Sequence, residues 1–276
     1  MKMTDRYGVI GHPISHSKSP VIHSQFAQQL RQDVTYEAID IEPADLAQTL
    51  DSLIHEGFKG LNVTVPHKNA VVDLMTDLSD RAQLASAVNT ITVQDDKSMV
   101  GDNTDGIGLV RDLRRNLRFE IPDADILILG AGGATRGIVP SLLEAEPREI
   151  VIANRTIERA EELVYAFGKA GAALGPVSAC RFDELAERQF DLVINATSAS
   201  LGGDVPPFPT SIIGADVTCY DLSYAMKPTP FVAWATQHGA KHAHQGWGML
   251  VEQAAASFRI WRGRRPETRG ILANLP

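Results

Sequence analysis

Cysteine is scarce in this chain: two residues, Cys180 and Cys219, among 276. Two thiols cannot frame a disulfide scaffold, and so few fit a reducing compartment. No run of about 18 apolar residues occurs, so no membrane span is expected. The apolar stretch Tyr7–Ile10 that follows the start is too short for a signal peptide, and a cytoplasmic protein is expected. Nor is there an excess of basic charge. With 26 Lys and Arg against 34 Asp and Glu, the net charge is −8. That balance argues against broad binding to nucleic acid or anionic membranes, but not against a small anionic ligand, where local charge decides. Internal repeats and low-complexity tracts are absent; Pro206–Pro209 is a short proline-rich turn.

What is present is ordinary for a soluble globular protein: 44% apolar and 22% charged residues. The length allows one or two domains with a real core. Strand-like and helix-like segments alternate throughout. Tyr7–Ile10 reads as a buried strand, Pro20–Leu30 as a helix with proline at its start, and Thr35–Ile41 as an alternating strand. Asp45–Glu56 is helical in pattern and stops at Gly57; Gly60–Val65 is a strand stopped by Pro66. A second series begins with Asp125–Gly130 and continues with a helix at Ile138–Leu143, a strand at Glu149–Ala153 and a helix at Ile157–Phe167. Later strands follow at Phe190–Asn195 and Thr218–Leu222. This alternation predicts an α/β fold with a mostly parallel sheet and helices on its faces. Domain boundaries are placed near Asp105 and Lys241, giving 1–105 plus 241–276 and 106–240. The last helix, Gly248–Trp261, repeats Leu250, Ala254, Phe258 and Trp261 on one face, and its length suits a helix returning to brace the first domain.

The sharpest local pattern is Gly130-Ala131-Gly132-Gly133-Ala134-Thr135, after an apolar strand and opening a helix. Glycines there let the backbone approach a pyrophosphate, and the helix N-terminus supplies unpaired N–H groups. Thr135 stands where a third glycine is usual. The next strand ends in Asn154-Arg155-Thr156, not in the acidic residue that bonds a ribose 2′-hydroxyl. A carboxylate would repel a 2′-phosphate, whereas the Arg155 guanidinium suits one, so NADP is expected over NAD.

Polar residues cluster in three further segments. In Ser15-His16-Ser17-Lys18-Ser19-Pro20, Ser19 is expected to cap the helix, leaving Ser15 and Ser17 for a carboxylate or polyol. In Asn62-Val-Thr64-Val-Pro-His-Lys68, Asn62 and Thr64 share one strand face. Lys68 is placed at a helix start, where the dipole weakens a lysine's hold on its proton and makes it an acid/base candidate. The third group is Asn89-Thr90 with Asp102–Gly106; Asp105 falls at the domain junction, and Tyr224 and Gln253 are further candidates. His238, His242 and His244 are close in sequence, but no cysteine or acidic cluster completes a ligand set, and no metal is expected.

These segments together resemble the shikimate dehydrogenase family. The likeness runs from Gly8–Pro20 through Gly246–Ala255 and takes in Asn62–Lys68, Ala87–Thr90, Asn103–Gly106, Gly130–Ala134 and Asn154–Thr156 in the family's order. It implies a substrate domain, a Rossmann-like NADP domain and a C-terminal helix returning to the first. It further implies reversible NADPH-linked reduction of 3-dehydroshikimate to shikimate, on the route to aromatic amino acids. Lys68 and Asp105 would be the acid/base pair. Ser15, Ser17, Thr64, Asn89, Tyr224 and Gln253 would meet substrate. Gly130, Ala131, Gly132, Gly133 and Ala134 would hold NADP, with Asn154, Arg155, Thr156, Ile157, Glu158 and Arg159. Leu222 and Gly246 match positions near the nicotinamide, and Asp80 a further cofactor contact. A quinate/shikimate paralogue and a non-catalytic NADP sensor are the rival readings; monomer and homodimer both remain open.

Overall fold

The computed structural model describes residues 4–170, 176–197 and 208–275, so the Pro206–Pro209 turn lies partly outside the described residues. The first elements are β1 (Asp5–Gly11), α1 (Ser19–Leu30), β2 (Val34–Asp40), α2 (Leu46–His55), β3 (Phe58–Val63), β4 (Asp77–Leu78), α3 (Asp80–Ala85), β5 (Thr90–Val93), β6 (Met99–Asp102) and α4 (Asp105–Arg111). Next come β7 (Asp125–Leu129), α5 (Gly133–Leu143), β8 (Glu149–Ala153), α6 (Ile157–Ala170), β9 (Val177–Cys180), β10 (Leu192–Asn195) and β11 (Thr218–Asp221). The chain closes with α7 (Pro230–Gln237), β12 (His242–Gln245), α8 (Trp247–Arg262) and α9 (Arg269–Leu272). It divides into two compact units. Unit 1 contains the chain up to Gly108 and Leu250–Leu275; unit 2 contains Leu109–Met249.

Unit 1 is built on a six-stranded sheet in the order β2-β1-β3-β5-β6-β4. β1 pairs parallel with β2 and β3, β4 pairs parallel with β6, and β5 runs antiparallel between β3 and β6. Leu46, Leu50, Leu53 and Ile54 lie on one face of α2 and pack with Ile10, Phe58, Leu61 and Ile91 of the sheet. A second cluster joins Ile22, Phe26 and Ala27 of α1 to Val251, Ala254, Ala255 and Phe258 of α8. Close approach of α8 to the sheet depends on Gly60, where a Cβ would overlap the Trp261 indole. The indole Nε1 donates to Ile91 O at 3.0 Å.

Unit 2 holds an all-parallel sheet in the order β9-β8-β7-β10-β11-β12. This is a doubly wound sheet whose strand order reverses between β7 and β10, the place where such sheets bind ligands. Its inner strands are buried on both sides, which is why they read as continuous apolar runs rather than alternating ones.

Four local expectations are corrected. Ser19 does not cap α1: Lys18 is the cap residue, with no side-chain bond, and Ser17 Oγ instead accepts the Ser19 N–H at 3.3 Å. No helix starts at Lys68; residues 65–71 form turns, because β3 ends at Val63 and the chain reverses through Pro66. The dipole argument for that lysine therefore lapses. The strand expected at Gly60–Val65 is β3, Phe58–Val63, so Asn62 is buried on it while Thr64 lies past its end. Finally, His242–Gln245 pair with β11, so the chain leaves unit 2 at Met249 and not near Lys241.

Candidate active site

Lys68 is set by the turns after β3. His67 is buried with its Nε2 2.7 Å from Ile41 O, and Lys68 O accepts Val88 N–H at 2.8 Å, so the lysine is anchored on both sides. Its Nζ donates to Asp105 Oδ2 at 2.7 Å. Asp105 is the first residue of α4, with its own N–H on Asn103 Oδ1 at 3.1 Å. The other carboxylate oxygen, Oδ1, accepts Asn89 Nδ2–H at 2.8 Å. Both oxygens are thereby engaged, and the carboxylate cannot turn without losing a charge-assisted bond. The Lys68 side chain is 27% exposed and that of Asp105 10%, so the aspartate is the more deeply buried of the two. Gln253 of α8 joins this group: its Oε1 lies 3.4 Å from Asn89 Nδ2, and its Nε2 donates to Leu250 O at 2.8 Å.

The serine loop leaves the sheet beside the Lys68 turn, since His12 N–H donates to Val65 O at 3.1 Å. Asp40 pins it. One carboxylate oxygen of Asp40 is 2.6 Å from His12 Nδ1, and the other accepts Ile14 N–H at 3.3 Å. The His12 hydrogen bond holds the Asp40 carboxyl below the ordinary range. Ser15 is exposed, and neither its hydroxyl nor that of Thr64 has a partner among the described residues. Ser17 Oγ accepts from Ser19, which leaves its proton to donate elsewhere.

In unit 2 the glycine turn links β7 to α5. Gly130 has φ +104°, in the region that favours glycine. Thr135 takes the place of a third glycine because its hydroxyl turns back to donate to Gly130 O at 2.6 Å. No acidic residue and no side-chain cap occupy the first turn of α5, so its N–H groups remain open to an anion. A Cβ on Gly132 would meet nothing within 4 Å, which leaves a shallow cradle. Asn154 Oδ1 accepts Ala131 N–H at 3.3 Å and its Nδ2 donates to Thr156 O at 2.7 Å, coupling the end of β8 to the glycine turn. Arg155 is exposed and has no ion pair or hydrogen bond among the described residues. Ile157, Glu158 and Arg159 form the first turn of α6. These residues fit a phosphorylated dinucleotide.

Leu222 and Gly246 meet at the ends of β11 and β12; a Cβ on Gly246 would overlap the Leu222 carbonyl oxygen. Tyr224 packs on Trp247 with centroids 4.5 Å apart, and burial pushes its phenol up. Asp80 lies in unit 1, exposed in the first turn of α3, where the helix dipole favours a carboxylate. Among the described residues no group of three His, Cys, Asp or Glu side chains is placed to hold a metal ion. Sequence reasoning overlooked the structural parts played by Thr90, Thr104 and Ser257. Thr90 and Thr104 fall in the polar segments Asn89-Thr90 and Asp102–Gly106, and Ser257 shows as a hydroxyl one turn after Gln253 on α8.

A doubly wound sheet with this turn at its reversal point, in one chain with a lysine–aspartate pair on a second α/β unit, defines a dinucleotide-linked oxidoreductase. Three family models match the sequence. They are the shikimate dehydrogenase substrate-binding domain over residues 9–91, shikimate/quinate 5-dehydrogenase over 113–202, and the shikimate 5′-dehydrogenase C-terminal domain over 246–273. Shikimate dehydrogenase (NADP(+)) of Methylococcus capsulatus is 50% identical over 275 residues, covering 100% of this chain and 97% of its own. Among solved structures, an Ael1 enzyme from Pseudomonas putida superposes with TM-score 0.91 at 42% identity, covering 98% of each chain. Shikimate 5-dehydrogenase from Thermus thermophilus, in complex with NADP(H) and shikimate, gives 0.85 at 31%, covering 98% of this chain and 97% of that one. The chain belongs to the shikimate dehydrogenase family.

Proposed function

We propose that this protein catalyses the reversible NADP-dependent oxidation of shikimate to 3-dehydroshikimate. In this reading unit 1 carries the substrate and unit 2 the cofactor. The observation that carries it is the Lys68–Asp105 pair, fixed by Asn89 and lying in the unit that the substrate-domain model matches. NADP, when bound, accepts or supplies the hydride. The protein's own work is acid–base and electrostatic. In the reducing direction negative charge develops on the ketone oxygen, and Lys68 Nζ both stabilises it and delivers a proton. In the oxidising direction neutral Nζ takes the hydroxyl proton. Asp105 holds Nζ in place and Asn89 holds Asp105. Ser15 and Ser17 are assigned the substrate carboxylate, and Thr64, Asn89, Tyr224 and Gln253 its remaining contacts. Gly130–Ala134 and Asn154–Arg159 are assigned the cofactor, with Leu222 and Gly246 near its nicotinamide and Asp80 as an outer contact.

The test is NADPH formation from shikimate and from quinate, with NADP and with NAD. Shikimate with NADP should give the highest kcat/KM of the four combinations. Preference for quinate would replace the substrate assignment; preference for NAD would remove the 2′-phosphate role of Arg155. Arg155→Ala should weaken NADP roughly ten- to a hundredfold, the worth of a charged hydrogen bond, and leave NAD far less affected. Equal loss of both cofactors in binding titrations would contradict that role.

A further inference from the structure

Behind Asp105, a hydrogen-bond chain leads from Asn89 to side chains that the reaction as described does not use. Its proton directions follow from the donors alone. Tyr36 OH donates to Asn62 Oδ1 at 2.7 Å, while Asn62 Nδ2 faces the carbonyl of Asn89 at 3.1 Å, which can only accept. Asn62 therefore has one orientation, and its Nδ2 is also 3.0 Å from Ser257 Oγ. Asn89 Oδ1 takes the Thr104 backbone N–H at 2.9 Å, so that oxygen must face inward and Nδ2 must face Asp105. Thr90 Oγ1 lies 2.8 Å from Asn89 Oδ1 and gives its only proton there. It has none left for Ser257, 2.8 Å away, so Ser257 is the donor in that pair, its one proton shared with Gln253 O at 3.2 Å. One route through the cluster then runs from Tyr36 to Asn62, Asn62 to Ser257, Ser257 to Thr90, Thr90 to Asn89, and Asn89 to the carboxylate, with side branches from Asn62 Nδ2 to Thr90 Oγ1 at 3.3 Å and from Thr104 Oγ1 to Asn89 Oδ1 at 3.1 Å.

We infer that Ser257 is a positioning residue for the reaction, acting through Thr90 and Asn89 on Asp105 and hence on Lys68. The inference rests on the acid–base role proposed for that pair. Aligned donors polarise one another, so removing an inner one weakens the bond that reaches the carboxylate. Ser257 is fully buried and hydrogen-bonds neither Lys68 nor Asp105; its shortest contact is Thr90 at 2.8 Å, with Thr104 and Gln253 O each at 3.2 Å. A slack Asp105 lets Nζ wander from its proton-transfer position, and small misplacements there cost rate more than binding.

The experiment compares Ser257→Ala, the isosteric Thr90→Val and the double variant in shikimate oxidation, with thermal midpoints and NADP dissociation constants alongside. Ser257→Ala should lower kcat roughly three- to tenfold with KM for shikimate changed less than about twofold. Thr90→Val should lower kcat at least as much. Adding Ser257→Ala to Thr90→Val should then do nothing further, because the route is already cut. Independent, multiplicative losses would overturn the inference, as would a loss carried by KM or unchanged kcat in both single variants. Should Ser257→Ala not fold, Thr90→Val with unchanged kcat overturns it alone. Wild-type protein and Lys68→Ala run in the same series report on the underlying reading. A wild type inert toward shikimate, or a fully active Lys68→Ala, removes that reading and this inference together.

Discussion

At the scale of single residues, His23 shows how much burial alone can do. Its ring is 1% exposed, stacks on Tyr36 at 4.1 Å, and has an Nε2 without a partner among the described residues. Burial drives its pKa down to about 3. In the unfolded chain imidazole titrates near 6.5, so between that value and about 3 the unfolded state binds the extra proton. The stability owed to neutral His23 is complete above about pH 6.5 and is lost as the pH falls. A His23→Phe variant keeps the ring and removes the titration. Its unfolding free energy from urea titration should therefore fall less steeply from pH 7 to pH 5 than that of the wild type, by up to about 1.4 kcal/mol per pH unit. Parallel slopes would mean that His23 is protonated without cost. Lys68 and Asp105 make the complementary case, where chemistry and not stability is at stake. Lys68→Ala should lower kcat by about 10²–10⁴ with a much smaller change in substrate Kd. Asp105→Asn should also slow turnover, and the double variant should be far less impaired than the product of the two. Strictly multiplicative defects would leave the pair without joint action.

Among elements, the β7–α5 turn and the β11–β12 ends separate two uses of glycine. Gly132 has φ −106° and open space around its would-be Cβ, so Gly132→Ala fits the fold and intrudes only on a bound ligand. NADP affinity should drop at least about tenfold while the thermal midpoint stays within a degree or so. Gly246→Ala, by contrast, sets a Cβ against the Leu222 carbonyl and should cost about 1–3 kcal/mol of stability. Calorimetry with ligand titration distinguishes them; a destabilised Gly132→Ala would count against the open cradle. Such elements were legible from sequence where periodicity was strong. Glu149–Ala153 matches β8 because a strand buried on both faces leaves an unbroken apolar run. β4, with two residues, and β12, with the polar sequence His242–Gln245, leave no such trace. For Lys68 the helix-start argument fails, while the likeness to the family also points to it. Its place depends on long-range bonds, Val88 N–H to Lys68 O and Nζ to Asp105, which no local pattern encodes. The same holds for Asn62, whose partners Tyr36, Thr90 and Ser257 come from three distant segments.

For the whole molecule, the decisive fact is that one unit is continuous and the other is not. Unit 2 closes its sheet within Leu109–Met249, with its own core of Leu127, Val151, Val193 and Phe231 among others. Unit 1 needs Leu250–Leu275, because α8 covers α1 and Trp261 lies against Gly60. A fragment of residues 109–249 should therefore fold and bind NADP by itself. A fragment of residues 1–108 should stay largely unfolded until a peptide of residues 250–275 is supplied. Circular dichroism and NADP titration of the separate pieces check both outcomes; a well-folded 1–108 fragment would show that α8 is dispensable. Synthesis on the ribosome gives this arrangement a direction in time. The residues that hold Lys68 and Asp105 are made before unit 2, whereas the α8 residues that complete unit 1 are made after it. Until α8 is made, Ile22 and Phe26 lack the residues that cover them, whereas all of unit 2 has been made by then. Chaperone dependence should therefore follow the first 108 residues, and slowing translation downstream of them should lengthen the interval in which they can aggregate.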